Sequence, residues 1–118
     1  MRKKERRAKI NEMLEDIHKQ LVNLKANVRN NSIVKNDVWM IYAKLEYAIL
    51  LVKLESDFET PGGFEYSKLD KSSETKLLEL VISYFHRGKK EFSKGTMKSA
   101  INNLRKARDA LKLLAMQH

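Results

Sequence analysis

Residues 10–28 read INEMLEDIHKQLVNLKANV. The apolar positions Ile10, Leu14, Ile17, Leu21, Leu24 and Val28 are separated by alternating steps of four and three. That is the spacing of a single stripe along a helix, with a period near 3.5. Neither proline nor glycine interrupts it, so the spacing predicts a helix from about Lys4 to Arg29. At about 1.5 Å per residue it is roughly 40 Å long. So regular a seam requires a partner helix along its whole length. Asn30, Asn31 and Ser32 end the pattern.

The same period recurs downstream. Asn36 or Asp37 can cap the free amides of a second helix that continues to about Asp57. Val38, Ile41, Tyr42, Leu45, Ala48, Ile49 and Val52 form its main stripe, and Trp39, Met40, Leu50, Leu51 and Leu54 widen it. A helix apolar around most of its circumference is expected at the centre of a bundle, with any surplus surface available to a second chain. Thr60-Pro61-Gly62-Gly63 then breaks the pattern inside a long loop, about 59–72, which Phe64 and Tyr66 can pin to the core. A third helix starts after Ser72 or Ser73, with Leu77, Leu78, Val81, Phe85 and Phe92 inward, and ends near Gly95, a residue suited to a left-handed cap. Thr96 opens a fourth, with Ala100, Ile101, Leu104, Ala107, Leu111 and Leu114 inward. The short turn makes helices three and four an antiparallel hairpin. Strand alternation is absent. The expected fold is all-α: a single domain over residues 1–118, a four-helix bundle in up-down order, preceded by a basic arm at 1–9.

Composition narrows the functional classes. The chain has 118 residues, a length for one compact domain, and 42% of them are hydrophobic, enough for a core. It contains no cysteine, which excludes disulfides, thiolate zinc sites, thiol nucleophiles and iron–sulfur clusters. Four glycines leave little material for a phosphate-cradling loop. The basic N-terminal stretch is not followed by an apolar run, and the apolar segment from Val38 to Val52 is broken by Lys44 and Glu46. No signal peptide or membrane span is therefore expected, and a cytoplasmic protein with no membrane partner is.

The net charge of +9 is unevenly distributed. Residues 1–36 carry +6 and residues 80–118 carry +7, whereas residues 37–79 carry −4. One cationic cluster comprises Arg2, Lys3, Lys4, Arg6, Arg7 and Lys9; the other runs from Arg87 through Lys89, Lys90, Lys94 and Lys98 to Arg105, Lys106, Arg108 and Lys112. Lys98, Asn102, Arg105, Asp109 and Lys112 step by four and three along helix four, opposite its apolar stripe. A row of this kind can track a phosphate backbone, with release of counterions. The plainer reading is a solvated surface that keeps a small protein soluble. Tyr84, Phe85 and Phe92 lie near the second cluster, but their helical spacing marks them as core rather than as base-stacking platforms.

A catalytic constellation is not evident. Glu15 and His18 form one Glu-x-x-His step, whereas di-metal bundles need two with further carboxylates. His86 has no recognisable partner, and His118 is terminal. Arginine does not stand four to six residues before any histidine, the step used by one class of helical ribonuclease. The expectation is a non-enzyme without metal or cofactor.

Within the C-terminal hairpin, Tyr84, Gly88, Gly95, Ala100, Leu104 and Ala107 occupy the offsets of the aromatic, glycine, glycine, alanine, bulky and alanine positions of a tetratricopeptide repeat. Residues 81–114 thus resemble a single such repeat. Glu91 stands where that repeat prefers an aromatic, and the usual terminal proline is missing. The resemblance implies close helix–helix packing and a protein-binding groove. No second copy occurs in residues 1–70, so a solenoid is not expected.

Two functions fit these features. The first is a non-catalytic protein contacting nucleic acid, RNA ahead of DNA, through backbone electrostatics. Arg2, Lys3, Lys4, Arg6, Arg7, Arg87, Lys89, Lys90, Lys94, Arg105 and Lys112 would make the contacts. The second is an interaction or assembly module, a homo-oligomer or the binder of an acidic protein, joined through helices one and two. The first requires the two cationic clusters to share one face.

Overall fold

The computed structural model describes residues 3–29, 35–56 and 74–116. They are helical except at Gly95 and Thr96: α1 (Lys3–Arg29), α2 (Lys35–Ser56), α3 (Glu74–Lys94) and α4 (Met97–Met116). The ends agree with the spacing and capping signals to within about two residues. Gly95 ends α3 with φ of 81°, the left-handed geometry that a side chain opposes. Its amide donates to the Phe92 carbonyl and the Thr96 amide to the Glu91 carbonyl, both at 3.0 Å, closing a Schellman cap. The Thr96 carbonyl then accepts from the Ala100 amide at 3.0 Å, the first bond of α4.

All four helices contribute to one buried cluster. The α1 seam of Ile10, Leu14, Ile17, Leu21 and Leu24 is buried within the chain, so it is not available as an oligomer interface. Val38, Ile41, Leu45, Ala48, Ile49 and Val52 face it from α2, and Phe85 is the largest fully buried side chain of α3. The deepest helix is α4, not α2, with ten of its 20 residues buried. The expectation of a central α2 is thus corrected: of its surplus apolar residues Met40, Leu50 and Leu54 lie on the surface, while Trp39 and Leu51 pack partly buried against the core.

Around the bundle α1 packs on α2 and α3, and α4 packs on α2 and α3. Side-chain pairs fix the directions. Arg7 meets Glu55 while Asp16 meets Lys44, so α1 and α2 are antiparallel. Glu15 meets Lys89 and His18 lies against Phe85, so α1 and α3 are antiparallel as well. Asn103 meets Glu91 and Lys106 meets Tyr84, which gives the same relation for α3 and α4. Direction alternates around the ring, while in chain order α2 and α3 run the same way on a diagonal. Ser56 and Glu74 are consequently at opposite ends of the bundle. Returning the chain over about 30 Å takes at least about nine residues, more than the usual helix–helix connection of about two to eight. This topology accounts for the length of the break between α2 and α3. The 59–72 loop, Phe64, Tyr66 and His118 lie outside the described residues.

Candidate interaction surfaces

The outer face of α2 is apolar. Met40, Ala43, Tyr47, Leu50 and Leu54 step by three, four, three and four, and all five are exposed. The four larger side chains keep 58%, 49%, 51% and 57% of their surface open to solvent. The buried positions Val38, Ile41, Leu45, Ala48 and Val52 follow the same steps two residues earlier. Two residues turn a helix by about 200°, so the two stripes point in opposite directions. Beyond this face, the exposed large apolar side chains among the described residues are Val22 and Met116. Charges border the stripe. On the α1 side Lys44 pairs with Asp16 at 3.5 Å, and on the α4 side Glu46 accepts from Arg108 at 2.8 Å. Trp39 packs edge-on against Tyr42, with ring centroids 5.4 Å apart. Burial and the neighbouring Glu46 carboxylate raise the Tyr42 phenol above its ordinary value.

The cationic residues are divided. The N-terminal turns of α1 come to the same end of the bundle as the α3–α4 turn, because α1 and α3 are antiparallel. Arg6 and Arg7 nevertheless turn toward α2 and hold the Glu55 carboxylate at 3.5 and 3.1 Å. Glu55 is only 1% exposed, and a carboxylate so placed requires compensating cations. Lys89 pairs with Glu15 across α1 and α3, and its hydrogen bond and charge lower the Glu15 carboxyl below its ordinary range. Arg108 donates from Nε and Nη2 to the buried Asp109 and from Nη1 to Glu46. Burial opposes its charge, but the two carboxylates more than offset this and raise its pKa. Arg87 and Lys106 both approach the Tyr84 ring, at 6.0 and 5.6 Å. Lys90, Lys94 and Lys98 are exposed and make no ion pair among the described residues.

The polar row expected along α4 is interrupted. Lys98 and Asn102 are exposed and Arg105 and Lys112 half-buried, but Asp109 is buried beside Arg108. Arg2 lies outside the described residues, and of Lys3 and Lys4 only the helical backbone is described. Among the described side chains, Arg6, Arg7 and Lys89 pair with carboxylates, and Arg87, Lys90 and Lys94 lie toward the α3–α4 end.

Glu55 was missed in the sequence reading, although a signal for it exists. It continues the inward series Ile41, Leu45, Ala48, Val52 by one further step of three, so an acidic residue falls on a core position. His18 lies between α1 and α3, 6.5 Å from Phe85, and its Glu15 neighbour is taken by Lys89. His86 is exposed. No group of three metal-ligating side chains occurs among the described residues, and no described helix is long and apolar enough to cross a membrane. Comparison with protein-family models, curated proteins and solved structures gives no match to this chain.

Proposed function

We propose that this chain is a non-catalytic helical assembly module that docks through the outer face of α2. The observation that carries this reading is the exposed heptad stripe Met40, Ala43, Tyr47, Leu50, Leu54, turned directly away from its own core. Contiguous apolar surface of this kind on a small domain marks a contact site. Burying a Leu or Met side chain contributes roughly 1.5–3 kcal/mol. Several together can offset the cost of association. The test is the stability of Leu50→Glu/Leu54→Glu in dilute solution. A docking face loses about 0.5 kcal/mol or less on such a change. A loss above about 2 kcal/mol would mean that these side chains serve the chain's own core, and the reading would fall.

A second reading rests on Arg87, Lys90, Lys94 and Lys98, which sit around the end of α3 and the start of α4: a cationic rim contacting a nucleic-acid backbone, RNA ahead of DNA. Its test is binding of a single-stranded RNA and a DNA duplex at about 50 mM salt, with affinity falling steeply as salt rises. The triple variant Lys90→Glu/Lys94→Glu/Lys98→Glu should abolish it. Absence of binding at low salt removes this reading and leaves the α2 face untouched.

A further inference from the structure

Resting on the docking reading, we infer that the occupant of the α2 face is a second copy of this chain, seated antiparallel about a two-fold axis. A two-fold interface must be complementary to itself, and the residues bordering the stripe meet that condition in one register. Antiparallel pairing with Tyr47 opposite Leu50 of the second copy sets Ala43 opposite its Leu54, a small side chain against a large one, and repeats both layers through the axis. Seven residues separate Glu46 and Lys53, which share the same border of the stripe. In this register Glu46 meets Lys53 of the second copy and Lys53 meets its Glu46, two opposite-charge contacts from one arrangement.

The neighbouring registers are charge-mismatched. Sliding one helix by seven residues in one direction sets Glu46 against Glu46 and Lys44 against Lys44 of the second copy. Sliding it the other way sets Lys53 against Lys53. A parallel pair brings Glu46 beside the apolar Leu51, with no charge match. Border charges that favour one alignment and penalise its neighbours are how coiled-coil helices select partner and orientation. Within each copy Glu46 also accepts from Arg108, which anchors the carboxylate at the rim of the stripe.

The experiment is mass determination by light scattering and sedimentation on the full chain. Wild type is expected as a dimer at about 100 µM. Glu46→Lys and Lys53→Glu, each placing like charges opposite one another twice per dimer, should each weaken it by about tenfold. An equimolar mixture of the two single variants restores both contacts across the pair and should recover a one-to-one heterodimer. A monomeric wild type overturns the second-copy inference; if Leu50→Glu/Leu54→Glu still keeps its stability, the docking reading survives that result. A wild-type dimer indifferent to both charge variants, or a mixture that does not recover, overturns the antiparallel register.

Discussion

Gly88 marks the closest approach of α3 and α4. A Cβ built there would lie 2.7 Å from both Cγ and Cδ2 of Leu104 and 3.1 Å from its backbone nitrogen. The side chain can rotate away, but the backbone cannot yield without moving α4. Alanine at a helix interior gains about 1 kcal/mol of propensity over glycine. Overpacking a close contact costs about 1–3 kcal/mol. Gly88→Ala should therefore lower the denaturant midpoint despite its better propensity, and an unchanged or higher midpoint would contradict the packing described. Another residue-level consequence follows from Glu15, whose carboxyl is held below the ordinary 4.5 by the Lys89 hydrogen bond and charge. A lowered carboxyl stabilises the fold fully above its unfolded value, and this contribution is lost as pH falls through the folded one. Lys89→Met should return the Glu15 titration, followed by NMR, toward the ordinary range; an unmoved titration would sink the assignment. Buried acids were poorly legible beforehand. Glu55 was not singled out and Asp109 was placed on the polar row of helix four, whereas the packing buries both against arginines.

Helix boundaries were readable from short-range signals alone. The uninterrupted seam of α1, the Gly95 cap and the Thr96 start each involve residues within a turn or two of one another, and none depends on the tertiary arrangement. On α2 the inward stripe was legible, since the main run Val38, Ile41, Leu45, Ala48, Ile49 and Val52 is the buried one. The outer stripe has the same three–four stepping two residues on, so periodicity alone did not separate Met40, Leu50 and Leu54, which stay exposed, from Trp39 and Leu51, which pack against the core. On α4 the polar row looked continuous, but Asp109 is buried beside Arg108. The two seams make a paired prediction. Leu14→Glu/Leu21→Glu places carboxylates in the interior and should abolish cooperative unfolding, since each large-to-small change there already costs about 2–5 kcal/mol. Leu50→Glu/Leu54→Glu, on the outer stripe of α2, should leave the midpoint of the dilute protein within about 0.5 kcal/mol. Equal damage from the two pairs, read by denaturant titration, would contradict the assignment of an inner and an outer stripe.

For the molecule as a whole, net charge was a weaker guide than apolar patterning. The +9 excess is real, but the bundle sets Arg6 and Arg7 on Glu55, Lys89 on Glu15 and Arg108 on Glu46 and Asp109. Glu46 and Glu55 of the acidic middle thereby offset cations of both basic ends through long-range pairs that no sequence window contains, while Glu15 and Asp109 do so from within the basic thirds. The all-α class and the count of four helices were legible; the diagonal placement of α2 and α3, which leaves one face of α2 outward, was not. The measurement that tests the proposed role most directly is the solution mass of the wild-type chain and of Leu50→Glu/Leu54→Glu at about 100 µM, with the unfolding midpoint of each in dilute solution. The expected result is twice the 13.8 kDa chain mass for the wild type and a single chain mass for the variant, with the dilute midpoint retained. A variant that loses its fold, or one that associates as strongly as the wild type, would contradict a docking surface on α2.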